Sequence, residues 1–137
     1  MVLLDIEFAS VYGENLVQTS EGVKYIIPLI NIVNAIEAMA STPPSERTVS
    51  IVTKETTQGH VEVSIRDRGP GMSSDELNRI FEPHFTTKEK GLGFGLSICS
   101  TIVTLHRGQI DLRNASEGGM VATVSLPKYS QLRTVNQ

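Results

Sequence analysis

The sequence predicts a two-layer α/β sandwich in which one mixed sheet is covered by helices on one face. Hydrophobic patterning changes along the chain in the order strand, helix, two strands, helix, helix, two strands. Strands in adjacent pairs, separated by helices, are typical of this architecture. The 137 residues suffice for one domain with a real core. We expect that domain to span residues 1–127, followed by a C-terminal tail at 128–137.

The first part of the chain predicts a strand, a loop and a long helix. Val2–Phe8 is the strand, and residues 13–22 are polar enough for a loop. Val23–Ala40 has helical periodicity, and consecutive prolines end it. Pro28 removes a backbone donor, so we expect a kink or a helix start there. The predicted buried face of this helix comprises Ile26, Ile27, Ile30, Val33, Ile36 and Ala40.

The rest of the chain predicts a hairpin, two helices and a second strand pair. Val49–Glu55 and Val61–Arg66 alternate in period two around a Gln-Gly turn, which indicates a hairpin. Ser73 and Glu76 have the spacing of a capping box, so a short helix begins there. A loop at 82–92 precedes a helix at Gly95–Leu105. The last strands are Gln109–Arg113 and Val121–Leu126.

Composition excludes several classes of protein. Twelve basic and fifteen acidic side chains give a formal charge of −3, and no basic stripe indicates a nucleic-acid partner. No apolar stretch is long enough to span a bilayer, so we expect no direct membrane contact. The single cysteine, Cys99, excludes an internal disulfide and suits a reducing cytosol. We therefore expect a cytoplasmic domain, monomeric in isolation, with Cys99 buried in a helix.

Three polar segments point to a nucleotide site. Asn34 and Glu37 lie three apart and share one helix face, where an asparagine oxygen suits Mg²⁺. A solvated face or a buried amide is an equal alternative. Asp67 follows a strand and precedes Gly69 and Gly71. A carboxylate fixed there can accept from the amino group of adenine, although an isolated Asp-Gly turn would be the simpler interpretation.

The third segment is a glycine run that leads into a helix. Gly91, Gly93 and Gly95 precede Leu96, and the free amides at a helix start form a phosphate cradle. The spacing matches neither a P-loop nor a dinucleotide-binding turn. Lys88 lies just before the run and can reach a phosphate, or can be a solvated loop lysine.

Together these segments resemble the ATP-binding catalytic domain of sensor histidine kinases, within the group that includes gyrase, Hsp90 and MutL. The N box is similar to residues 31–39, the G1 box to 67–72, the F box to 80–88 and the G2 box to 91–97. The match runs from about Val23 to Pro127. The short segment between Lys88 and Gly91 is similar to the short-lid kinases of the nitrogen-regulation and oxygen-sensing type.

The resemblance implies a Bergerat-type fold with ATP and Mg²⁺ as ligands. It implies Asn34 as the magnesium ligand, Asp67 as the adenine-binding acid, and catalytic roles for Asn34 and Lys88. The remaining nucleotide contacts that it implies are Asn31, Glu37, Gly69, Gly71, Met72, Phe85, Thr87, Gly91, Leu92, Gly93, Phe94, Gly95, Leu96 and Thr123. Phe81 and Phe85 are predicted to dock a partner domain.

The sequence departs from the family pattern in places. Ile30 stands where a second polar residue is usual, and Asn31 could substitute for it. An isoleucine cannot activate water, which argues against a hydrolase of the gyrase or MutL kind. None of His60, His84 and His106 has the phosphoacceptor sequence, so we expect them to be structural or surface histidines.

The predicted function is transfer of the γ-phosphoryl group of ATP to a histidine on a separate dimerisation domain, in the same or another chain. A response regulator would be the indirect partner. Two alternatives stay open. One is a stand-alone serine kinase of the anti-sigma type, and the other is a degenerate module that binds only nucleotide or a partner.

Overall fold

The computed structural model describes residues 3–7, 21–83, 85 and 95–127. The elements there follow the predicted order of strand, helix, two strands, two helices and two strands, which confirms the α/β sandwich. A 3-10 turn at Pro44–Glu46 leads into the second strand. The elements are β1 Leu3–Glu7, α1 Glu21–Ala38, β2 Thr48–Glu55, β3 His60–Arg66, α2 Ser74–Arg79, α3 Gly95–Leu105, β4 Gln109–Asn114 and β5 Met120–Pro127.

The sheet is mixed, as predicted. Its strand order is β1-β2-β3-β5-β4. Neighbouring strands pair antiparallel along β2, β3, β5 and β4. Strand β1 pairs parallel with β2 and forms one edge of the sheet. The central register places Ile51 opposite Ile65 and Val63 opposite Val124, so apolar side chains of three strands meet on one face.

Among the described elements, helices α1 and α3 cover that face. Along β3, Val61, Val63 and Ile65 are buried, while the residues between them are half-buried on the other face. Alternation of this kind follows from the period of two along a strand. The opposite face carries polar pairs such as Lys54 and Glu62, whose charged atoms lie 3.5 Å apart. The core therefore lies between the sheet and the helices α1 and α3.

The predicted buried face of helix α1 is confirmed at Ile27 but not along the rest of the helix. Among the side chains that the structure describes, the buried positions are Ile27, Asn31, Ala35 and, just past the end of the helix, Met39. Val33 and Ile36 are 42% and 38% exposed and Ala40 is also exposed, so the predicted core positions of these three residues are wrong. The side chain of Ile26 lies outside the described residues. Apolar residues surround most of this helix, and its hydrophobicity alone does not choose a face. Packing against Cys99 and Val103 of α3 makes that choice.

The bounds of α1 also correct one expectation. The helix begins at Glu21 and continues through Pro28, so Pro28 does not start it. The predicted loop at 13–22 falls mostly outside the described residues, as do the tail at 128–137 and most of the loop at 82–92. Among the described helices, none is long and apolar enough to cross a membrane.

Helix ends follow local chemistry. The capping box of α2 is present: Glu76 N donates to Ser73 Oγ over 3.2 Å, and Ser73 N donates to Glu76 Oε2 over 3.0 Å. Helix α3 ends in a Schellman motif. Gly108 N donates to Val103 O over 2.8 Å, and Arg107 N to Thr104 O over 3.0 Å. This motif requires a left-handed residue after the helix, and Arg107 has a φ of 60°, which is unusual for a residue other than glycine.

Candidate functional site

Asp67 lies at the end of β3 on the helix-covered face. Its side chain is only 4% exposed. Oδ1 accepts from Gly69 N over 2.9 Å and from Met120 N over 3.1 Å. Burial raises the pKa of the carboxyl, and the two backbone donors oppose that rise. Among the described residues, none donates a hydrogen bond to Oδ2. The backbone therefore fixes Oδ1, and Oδ2 can accept a hydrogen bond from a ligand.

The segment after Asp67 passes close under the end of α1. A Cβ at Gly69 would lie 2.7 Å from Ala38 O, a distance that side chains do not tolerate. Thr42 Oγ1 donates to Arg68 O over 3.2 Å, and Arg68 N contacts Met39 Sδ at 3.4 Å. The glycine at position 69 therefore allows the G1 segment, residues 67–72, to lie against the N-box helix.

Asn114 is a contact that the sequence analysis missed. Its side chain, at the end of β4, accepts from Met72 N over 2.9 Å and donates to Met72 O over 2.8 Å. The sequence shows Asn114 only as the first residue of a turn between two strands. Its partner Met72 lies 42 positions away, so no local pattern predicts the pair.

The two asparagines of α1 face different surroundings. Asn34 is half-buried and shares a face with exposed Glu37. Asn31 is 3% exposed; its Nδ2 donates to Ile27 O over 2.8 Å and contacts Cys99 Sγ at 3.6 Å. The structure thus directs Asn31 into the core between α1 and α3, which corrects its predicted contact with a ligand.

Ile30 lies where α1 meets the start of α3. A Cβ built on Gly95 would lie 3.6 Å from Ile30 Cγ2. Gly95 is exposed and opens α3, and Leu96 beside it is half-buried. The structure therefore brings the N-box helix beside the first turn of the G2 helix, whose amides are the predicted phosphate donors.

Thr123 does not belong to this site. It pairs with Ser64 in the β3–β5 register, and the two hydroxyl oxygens lie 3.3 Å apart. Ser64 and Thr123 are on the uncovered face of the sheet, whereas Asp67 follows Ile65 on the covered face. This register corrects the predicted adenine contact of Thr123.

The F-box end is held by a surface arginine. The guanidinium carbon of Arg79 lies 4.8 Å from the centre of the Phe85 ring, and its Nε is 3.2 Å from Glu82 Oε2. Phe81 and Phe85 are both half-buried. The other predicted residues of the F and G2 boxes lie outside the described residues; they are His84, Thr87, Lys88, Gly91, Leu92, Gly93 and Phe94.

Two further expectations concern histidine and metal. His106 is half-buried, and its Nδ1 lies 2.8 Å from Ile102 O, a backbone contact that is compatible with the predicted structural or surface role. Within the described ranges, no cluster of three or more His, Cys, Asp or Glu side chains could hold a metal ion. Asn34 is a half-buried amide. Mg²⁺ bound to a nucleotide takes few protein ligands and completes its shell with phosphates and water, so the chemistry of one amide oxygen is compatible with the predicted ion.

Comparison with known proteins identifies the family. Residues 29–130 match the family described as histidine kinase-, DNA gyrase B- and HSP90-like ATPase. The chain belongs to this family of ATPase domains. Its curated relatives include sensor histidine kinases, and its structural neighbours include histidine kinase catalytic domains, which confirms the predicted resemblance.

Particular relatives narrow the comparison. The chain is 38% identical over 101 residues to the sensor protein TdiS of Thauera aromatica, an alignment that covers 72% of this chain and 18% of that protein. It is 39% identical over 99 residues to sporulation kinase E of Bacillus subtilis, covering 72% of this chain and 13% of the kinase. The aligned part is therefore less than a fifth of either relative's length.

Solved structures agree on the fold. The catalytic domain of histidine kinase ThkA superposes with a TM-score of 0.65 at 28% identity, covering 93% of this chain and 78% of that one. Full-length ShkA in complex with AMPPNP gives a TM-score of 0.67 at 27% identity, covering 79% of this chain and 22% of ShkA. These neighbours confirm the Bergerat-type fold.

Proposed function

We propose that this chain binds Mg-ATP beside Asp67 and transfers the γ-phosphoryl group to a histidine of a separate dimerisation domain. The observation that carries the proposal is the Asp67 carboxylate, buried and fixed through Oδ1 by two backbone donors. Oδ2 then accepts from the amino group of adenine. The family membership and the complex of ShkA with AMPPNP support a nucleotide as the ligand.

The phosphate side of the site extends from Asn34 to the start of α3. Asn34 is proposed to supply an amide oxygen to the ion, with Glu37 on the same face of α1. Magnesium, when bound, neutralises charge on the phosphates. Lys88 and the segment from Gly91 to Leu96 are proposed to hold the phosphates through an ammonium group and backbone amides.

The proposed reaction is an in-line displacement. An imidazole nitrogen of the acceptor attacks the γ-phosphorus, the new P–N bond forms, and the bond to the β,γ-bridging oxygen breaks so that ADP leaves. The protein contributes chiefly by positioning and charge stabilisation. Ile30 lies at the α1–α3 junction, and its alkyl side chain cannot deprotonate water. That chemistry favours transfer to an acceptor over hydrolysis.

A second candidate is a module that binds nucleotide without transfer. The burial of Asn31 favours it, because this amide contacts Ile27 and Cys99 in the core and is not available as a second polar ligand beside Asn34. The two functions separate in one assay: labelled ATP is mixed with this chain and a histidine-bearing acceptor domain. Label on a histidine supports the kinase, label on a serine would indicate the anti-sigma type, and binding without label supports the second candidate.

The magnesium assignment has a matched pair of variants on one helix. Asn34→Ala is expected to remove the magnesium-dependent part of ATP binding, about tenfold in affinity. Asn31→Leu keeps the packing against Cys99 and is expected to leave binding unchanged. Calorimetric titration with and without Mg²⁺ measures both. If Asn31→Leu lost the magnesium effect and Asn34→Ala kept it, the assignment would be reversed.

A further inference from the structure

The β4–β5 turn holds the G1 segment at both of its ends. Asn114 and Met120 are opposite each other in the last pair of the β4–β5 ladder. The backbone of Met120 bonds to Asp67 twice, through Met120 N to Asp67 Oδ1 over 3.1 Å and through Asp67 N to Met120 O over 3.0 Å. The side chain of Asn114 bonds to Met72. One cross-strand pair therefore fixes the first and the last residue of the segment 67–72.

The contact between Asn114 and Met72 requires a carboxamide. Oδ1 accepts from Met72 N over 2.9 Å, and Nδ2 donates to Met72 O over 2.8 Å. A carboxylate offers no donor, a hydroxyl cannot reach both groups, and a glutamine amide is one methylene further from its backbone. Both polar groups of the Met72 backbone are thus fixed by one side chain.

The same side chain limits the conformation of the preceding residue. Gly71 has a φ of +77°, and a Cβ there would lie 2.6 Å from Asn114 Oδ1. Glycine adopts this φ without strain, and the amide of Asn114 occupies the space that another residue would need. The path of the chain from Asp67 to Met72 is therefore set from β4 as well as from β3.

We propose that Asn114 is a positioning residue for the base of the nucleotide. It fixes Met72 relative to the Asp67 carboxylate, and so it sets the discrimination between adenine and guanine. Adenine presents an amino group to that carboxylate, whereas guanine presents a carbonyl oxygen. This inference rests on the proposed function. Asn114 itself is exposed, so its loss should release Met72 without unfolding the core.

The test compares Asn114→Ala and Asn114→Asp with Asn78→Ala, an exposed amide of α2. Calorimetry gives the affinities for Mg-ATP and Mg-GTP, thermal unfolding gives stability, and hydrogen exchange follows the Met72 amide. Both Asn114 variants should lose about tenfold in ATP affinity, while GTP affinity changes little, so the ATP preference falls. Met72 should exchange faster. Asn78→Ala should match the wild type in every measurement.

Several results would overturn the inference. An Asn114→Ala variant with wild-type ATP affinity and base preference would refute the positioning role while the proposed function stands. So would an equal loss for ATP and GTP together with lowered thermal stability, because that pattern indicates general structural damage. A folded wild-type chain that binds no ATP would refute the proposed function itself, and this inference with it.

Discussion

The two ends of β3 are closed in different ways. At the His60 end the turn itself is closed by local contacts: Thr56 N donates to His60 O over 2.8 Å, and Gly59 N to Thr56 O over 3.2 Å. At the Asp67 end the partners are distant in sequence, with 53 positions between Asp67 and Met120 and 42 between Met72 and Asn114. The hairpin end can form by itself, whereas the site end exists only after the strands pair.

The largest expected effect comes from the glycines of the β4–β5 turn. A Cβ at Gly119, which has a φ of +86°, would lie 2.1 Å from Asp67 O. Gly119→Ala combines backbone strain with overpacking and should destabilise the fold by about 3–4 kcal/mol. Gly118 is the matched control, since its φ is +97° but nothing lies within 4 Å. Gly118→Ala should cost about 1–2 kcal/mol.

Urea unfolding of the two glycine variants measures this difference. Equal losses of stability would show that the turn does not depend on its close approach to Asp67. A clearly larger loss at Gly119 than at Gly118 would confirm that the site end of the sheet is closed by long-range contact.

The second largest expected effect is that of substituting Asp67, which should change folding stability and ATP affinity in opposite directions. Burial raises the pKa of this carboxyl above its ordinary value of 3.8, so the folded state binds the proton more tightly than the unfolded state. Proton binding to Asp67 therefore stabilises the folded state. This stabilisation is complete below the ordinary pKa of 3.8 and is lost as the pH rises through the folded-state pKa. Asp67→Asn removes the charge and should be more stable than the wild type above this window, while ATP affinity falls about tenfold to a hundredfold.

Thermal unfolding between acidic and neutral pH, together with ATP titration at neutral pH, tests the Asp67 prediction. The difference in melting temperature between variant and wild type should widen as the pH rises. A constant difference would mean that the buried carboxyl does not oppose folding. Undiminished ATP binding by Asp67→Asn would remove Asp67 from the site.

The smallest effect lies far from the site, at the end of α3. Arg107 has a φ of 60° in a Schellman motif, where glycine is the favoured residue. Arg107→Gly should stabilise the protein by about 0.5–1 kcal/mol without changing ATP affinity. Arg107→Ala removes the same side chain but keeps the strained conformation, so it serves as control. Stabilisation by alanine and glycine alike would attribute the effect to the arginine side chain.

Local signals explain what the sequence predicts well. The hairpin of β2 and β3, the capping box of Ser73 and Glu76, and the start of α3 at Gly95 each depend on residues close in the chain. Asp67 was also predictable as a candidate, because a carboxylate between a strand and a glycine turn is a local pattern. The family resemblance then joined these pieces into one fold.

The other features depend on packing between distant elements. The buried face of α1 was mispredicted because apolar residues surround most of the helix, and contact with Cys99 selects the stripe that includes Asn31. The predicted adenine contact of Thr123 depends on strand register, because successive residues of a strand point to opposite faces of the sheet. The register places Thr123 opposite Ser64. Asn114 carried no signal, since its partner Met72 is brought to it only by the folded sheet.

The most direct test of the proposed nucleotide site is a calorimetric titration of the folded chain with a non-hydrolysable ATP analogue, with and without Mg²⁺. We expect saturable binding that strengthens with magnesium and weakens about tenfold to a hundredfold in Asp67→Asn. Absence of binding in a chain shown to be folded would contradict the nucleotide site, and equal binding by wild type and Asp67→Asn would contradict its location.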